Sequence, residues 1–230
     1  MPAFDRKAML VLAGVLLATL LLRLPSLFEP PWYDDEGIYA AVAQSMLAGS
    51  RLYTDVADSR PPGMYLIYAL LLAVNSFDVF AVKLGATAAV LMTQVTVFYL
   101  AWKGWGLKTA GTAIAILGLV MALPVVEGNL ANAEVFMELP VAVGMLLAVH
   151  RRYLGAGVAF GAAFLVKQIT GVEFAACLVG LLLFAPDARR SIALAIAGFV
   201  APVLAATVVL AAVGVLNDFL FVGFGYYFGY

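Results

Sequence analysis

The chain has 230 residues, of which 65% are hydrophobic and only 12% charged, with a formal net charge of −1. Its mean hydropathy of +1.03 exceeds what a soluble core of this length needs, which excludes an ordinary soluble domain and leaves no basic face for nucleic acid. A single cysteine, Cys177, forbids an internal disulfide, and the lone His150 excludes a His-rich metal site and argues against a Ser-His-Asp triad.

Taken from the N-terminus, Arg6 and Lys7 precede an apolar run from Ala8 to Leu22, and no small-x-small cleavage site follows it. A retained signal anchor with a cytoplasmic N-terminus is expected. A spanning helix needs about 20 apolar residues. Candidate helices fall at 8–24, 62–75, 79–102, 109–126, 134–150, 155–170, 171–186 and 191–214. The basic clusters Arg6/Lys7, Lys103/Lys108, Arg151/Arg152 and Arg189/Arg190 should share the cytoplasmic side. They do so only if 62–75 lies along the outer surface instead of crossing. Glu29, Asp34, Asp35, Glu36, Asp55, Asp58, Asp78, Glu127, Glu134, Glu138 and Asp218 then fall outside, and only Asp5 and Asp187 remain inside. The expected fold is all-α: one polytopic membrane bundle over 1–230, with about seven transmembrane helices. Its large first outer loop, 25–78, carries two surface helices. The expected location is the cell (plasma or inner) membrane.

That loop opens on Trp32-Tyr33-Asp34-Asp35-Glu36-Gly37-Ile38-Tyr39. Three consecutive acids exceed what a helix cap requires. Asp34 is the expected cap of a helix from Gly37 to Leu47, ended by Gly49, with Ile38, Val42 and Met46 on one face. A carboxylate in a partly dry pocket can serve as a general base or hold a cation. Arg60-Pro61-Pro62 opens the second surface helix, and a guanidinium beside a helix N-terminus suits a phosphate. Arg23 and Arg51 read as interfacial anchors, which is also the plain alternative for Arg60. In the second outer loop Asn132 reads as a cap, and Glu134 and Glu138 share a helical face. Lys167 interrupts an apolar segment, where a lysine costs about 2.5–3.5 kcal/mol at mid-bilayer. It is expected to face an anion at the outer end, with snorkelling as the alternative. The aromatic tail, 219–230, with Tyr226, Tyr227 and Tyr230, reads as an interfacial belt.

Asp35-Glu36-Gly37-Ile38-Tyr39-Ala40, Arg60-Pro61-Pro62-Gly63-Met64-Tyr65 and the later Lys167 together resemble the C-type (GT-C) glycosyltransferases. The likeness is to the branch of protein O-mannosyltransferases and lipid A aminoarabinose transferases. That family shows Asp-Glu-x-x-Tyr-Ala after its first span, then Lys-Pro-Pro-x-Tyr before a surface helix, then a lysine in a Thr-Lys-Gly-like motif. Order and rough spacing agree over 26–171; beyond that only hydropathy agrees. The resemblance implies Asp35 as the catalytic carboxylate, with Arg60 and Lys167 holding a lipid-linked phosphate. Asn132-Ala133-Glu134 sits where relatives often have Arg-Pro-Asp or Arg-Pro-Glu, so Glu134 matches the family's second acid and Asn132 stands in place of its arginine. Glu36 would assist Asp35, and the two are also candidate metal ligands. No other cofactor is implied. Members of the family are usually much longer, so the chain reads as an N-terminal half or a short relative. The implied activity is inverting transfer of a sugar from a polyprenyl-phosphate donor to an acceptor hydroxyl. The implied partners are that donor and membrane lipid. A transporter or flippase for polyprenyl-phosphate-type lipids and a non-catalytic membrane subunit are the alternatives.

Overall fold

The computed structural model describes residues 6–30, 34–56, 58–74 and 78–225. Among them there are ten α-helices and no strand. They are α1 (Arg6–Arg23), α2 (Asp34–Leu47), α3 (Pro62–Val74), α4 (Val79–Trp105), α5 (Leu107–Val120), α6 (Ala133–Val149), α7 (Tyr153–Phe164), α8 (Thr170–Phe184), α9 (Ala188–Val213) and α10 (Leu216–Leu220). The all-α expectation holds. Two described helices, α4 and α9, are long and apolar enough to cross a membrane by length and composition.

Local chemistry sets the helix ends. The Asp78 carboxylate accepts from the Phe80 N–H at 2.9 Å and starts α4. Asp187 starts α9 in the same way, accepting from the Arg190 N–H at 3.1 Å. Gly214, at φ 82, closes α9 in the left-handed conformation that glycine adopts freely.

Three sequence expectations are corrected. The helix expected over 109–126 stops at Val120, and a 3-10 turn opens at Pro124, whose ring cannot continue an α-helical ladder. The helix expected over 155–170 stops at Phe164 because the Leu165 carbonyl is turned toward α3, where the Gly63 N–H donates to it at 2.8 Å. α2 starts at Asp34, not Gly37, so the acids occupy its first turn, where the helix dipole favours them. Asp34, the expected cap, is the first residue of the helix, and its side chain lies outside what the structure describes. The residue before it, with Trp32, lies outside the described residues, as do Asp5, Asn75, Tyr226, Tyr227 and Tyr230.

Of the expected apolar face of α2, Val42 is buried and Met46 packs partly buried on the core. Ile38 is exposed, and Glu36, Tyr39, Ala40 and Ala43 point inward at helical spacing. They join Met64, Tyr65, Tyr68 and Leu72 of α3 and Val82 and Val90 of α4 in the largest core cluster. Burying each large apolar side chain there contributes roughly 1.5–3 kcal/mol. This cluster lies at the end of the bundle that carries the long loop, so the loop is fastened to the core.

α7 runs between α6 and α9, and α8 packs on α6, α7 and α9. Gly157 and Gly161 of α7 lie one turn apart, and a Cβ on them would overlap the carbonyls of Ala195 and Phe199. Such backbone contact through small residues four apart is the usual packing mode of helices in lipid. Arg23, expected as an interfacial anchor, is instead 1% exposed. Its Nε–H donates to Thr87 Oγ1 at 3.2 Å, and its two Nη groups donate to the carbonyls of Met121, Gly128 and Asn129.

Candidate functional site

The loop end holds two acid–cation pairs that the sequence places far apart. In the first, Arg60 Nη2 lies 3.3 Å from Asp35 Oδ2, and both side chains are half-buried. Tyr39, one helical turn after Asp35, closes a triangle. Its hydroxyl donates to Asp35 Oδ2 at 3.0 Å and accepts from Arg60 Nε–H at 2.9 Å. Burial, opposed by Arg60, holds the Tyr39 phenol above its usual pKa, so it stays a neutral donor. Burial alone would lower the Arg60 pKa, but Tyr39, Asp35 and Asp58 together raise it, so the guanidinium is permanently charged.

A second layer holds Arg60 in place. The Arg60 carbonyl accepts from the Tyr53 hydroxyl at 2.8 Å, and its N–H donates to Tyr65 Oη at 3.3 Å. Tyr65 in turn donates to Asp58 Oδ2 at 2.7 Å. Burial first, and then the Asp58 carboxylate, raise the Tyr65 pKa. The backbone on both sides of the Arg60 side chain is thus fixed by buried phenols.

The second pair is Lys167 with Glu134, in direct contact between the α7–α8 turn and the start of α6. Glu134 is half exposed and Lys167 mostly covered. Two contacts tie this turn to the first pair. Gln168 Nε2 donates to the Ser59 carbonyl at 3.0 Å, next to Arg60 in the chain. Gly63 packs so closely on Leu165 that a Cβ would overlap its carbonyl. The glycine after the two prolines is therefore required by close approach, and it sets the N-terminus of α3 against the turn bearing Lys167. Beside this junction lies a largely apolar cleft of about 200 Å3, lined by Pro61, Pro62, Leu165, Gln168, Leu210 and Phe219.

Glu36 and Asn132 are not part of this surface. Glu36 is 1% exposed and pairs with Lys83 of α4, itself 3% exposed, at 3.6 Å. Its Oε1 also accepts from the Ala131 N–H at 2.7 Å, while Tyr68 donates to the Ala131 carbonyl at 2.9 Å. Successive helical residues point about 100° apart, so Asp35 and Glu36 do not converge as a pair of metal ligands. Among the described residues no group of three or more His, Cys, Asp or Glu side chains gathers as a metal site. Asn132 occupies the N-cap position of α6 without a side-chain capping bond. It is buried, and its Nδ2 donates to Glu127 at 3.4 Å.

Sequence reading quoted Tyr39 and Tyr65 within motifs without giving them a role, and it missed Asp58, Lys83 and Gln168. Tyr39 could have been found from its i, i+4 spacing to Asp35. Lys83 could have been found as an ionisable residue in an apolar segment, which signals a partner. Asp58 and Gln168 carry no such signal, because their partners come from other segments. No family model, curated protein or solved structure matches the chain.

Proposed function

We propose that the chain is an integral-membrane glycosyltransferase that moves a sugar from a polyprenyl-phosphate donor to an acceptor hydroxyl, with inversion and with Asp35 as general base. The observation that carries this reading is the Asp35–Tyr39–Arg60 triangle joined through Gly63 and Gln168 to the Lys167–Glu134 pair, beside an apolar cleft. The bundle is read as seven spans: α1, α4, α5, α6, α7, α8 and α9. α2 and α3 lie along the outer surface, the four basic clusters face the cytoplasm, and the site faces outward.

Each candidate phosphate-binding cation is paired with a carboxylate in the resting arrangement, Arg60 with Asp35 and Lys167 with Glu134. An incoming donor phosphate competes for both cations. As Arg60 turns to the phosphate, Asp35 is released to accept the proton of the acceptor hydroxyl. The acceptor oxygen forms the new bond to the anomeric carbon from the face opposite the phosphate. The anomeric C–O bond to phosphate breaks, and its electron pair leaves on the phosphate oxygen. Arg60 and Lys167 stabilise the charge that develops there. One displacement inverts the centre and forms no glycosyl–enzyme intermediate. The prenyl chain lies in the apolar cleft lined by Pro62, Leu165, Leu210 and Phe219.

The test is sugar transfer by the chain in proteoliposomes containing a polyprenyl-phosphate sugar, with binding of the phosphate lipid measured in parallel. Asp35→Asn is expected to abolish transfer and retain binding, whereas Arg60→Gln weakens binding. Undiminished transfer by Asp35→Asn would defeat the assignment of the base. Movement of the lipid between leaflets without any sugar transfer would favour a flippase.

A further inference from the structure

At the opposite end of the bundle, where α6 and α8 finish and α7 and α9 begin, the helices leave an apolar cleft of about 430 Å3. Met145, Val149, Cys177, Leu181 and Phe184 line it, and Arg151 stands among the lining residues as its charged member. Both connectors at this end are basic: Arg151 and Arg152 lie between α6 and α7, and Arg189 and Arg190 lie in the first turn of α9. All four arginines are exposed, and none has an ion-pair partner among the described residues. The acid beside them in the chain, Asp187, is engaged in capping α9. Arg151 is also one of three described non-glycine residues at positive φ, 59°, in the tight turn that brings it to the cleft.

We propose that this cleft binds an anionic phospholipid of the cytoplasmic leaflet, with an acyl chain in the apolar trough and the phosphate on Arg151. The volume favours a chain over a helix, since a neighbouring helix is about 10 Å across with its side chains. It falls within the roughly 300–1,000 Å3 of small-ligand pockets. The charge favours an anionic headgroup, because a guanidinium offers a phosphate two parallel donors. The unpaired arginines on both connectors extend the same positive field around the cleft mouth. The inference rests on the membrane-embedded reading of the chain and is independent of sugar transfer at the other end.

Cys177, the only cysteine, lies in the wall of the cleft and reports on its occupancy. The full chain is reconstituted in phosphatidylcholine bilayers with or without phosphatidylglycerol, and the rate of Cys177 alkylation by a small maleimide is followed. Phosphatidylglycerol is expected to slow alkylation several-fold relative to phosphatidylcholine alone. Arg151→Asn, a residue that tolerates the left-handed backbone, is expected to erase the difference with an unchanged melting profile, and Arg151→Lys to restore part of it. Equal rates in the two bilayers would overturn the proposal. So would a phosphatidylglycerol effect that survives in Arg151→Asn. Release of the chain from the bilayer by alkaline carbonate would sink the membrane reading, and this site with it. An intact membrane association with equal rates would refute the lipid site alone.

Discussion

Asp35 and Glu36 are adjacent in α2 and carry the same functional group, yet their surroundings are opposite. Asp35 is half-buried, faces Arg60 and shares one oxygen with a neutral phenol. Glu36 is sealed against Lys83 and the Ala131 amide. About 100° of helical rotation separates a carboxylate that an incoming ligand can reach from one that fastens α2 to α4. Access, more than proximity in sequence, separates the two carboxylates. The Asp35 pair can exchange partners because both groups touch solvent. The Glu36 pair cannot, because breaking it would strand a charge in the core.

The sharpest way to break this contrast is to neutralise each acid in turn. Loss of a general base removes about 10²- to 10⁴-fold in rate, so Asp35→Asn should lose sugar transfer by that factor and barely change the melting temperature. Glu36→Gln or Lys83→Met should do the reverse. Removing one member of a buried pair costs about 3–5 kcal/mol, read as a lower denaturation midpoint. The double variant Glu36→Leu/Lys83→Met should recover much of that loss. A stable Lys83→Met single variant would show that the buried pair does not fasten α2.

Intermediate effects come from the layer behind Arg60. Gly63→Ala should destabilise by about 1–3 kcal/mol through overpacking on Leu165, and should weaken donor-phosphate binding more than a core alanine elsewhere. Tyr39, Tyr53, Tyr65 and Tyr68 all have raised pKa values, first through burial. A phenol whose pKa is higher folded than unfolded contributes stability that is present below its unfolded pKa. That contribution is lost as pH climbs from about 10 toward the folded value. Stability should therefore fall in alkali, and Tyr65→Phe should flatten the fall. The smallest effect should come from the exposed Arg51–Asp55 pair: Arg51→Ala should leave activity and melting unchanged, because such pairs are screened by water and salt.

The helical architecture was legible because apolar runs and flanking charges recur along the whole chain. The end of α7 was not, because hydropathy does not register a carbonyl drawn away by Gly63, and the apolar run over 109–126 hid the break before the turn at Pro124. Asp35, Arg60, Lys167 and Glu134 stood out as charges in an apolar chain, and the structure pairs them two by two. Glu36 looked the same as Asp35 in sequence, since only the rotation of α2 and the distant Lys83 distinguish them. Ile38, Val42 and Met46 share one face in the sequence pattern, yet only Val42 and Met46 pack on the core, and the acid Glu36 and the phenol Tyr39 fill the rest of the buried face.

Arg23 adds an order of events to the picture. Its guanidinium closes the end of α1, but the carbonyls that satisfy it belong to Met121, Gly128 and Asn129, about a hundred residues later in the chain. A guanidinium cannot be left dry without partners. During synthesis the end of the first helix must therefore stay hydrated until the connector after α5 has emerged. The end of the first helix is thus completed by a connector that lies beyond α5 in the chain, and Arg23→Leu would remove that dependence as well as its hydrogen bonds.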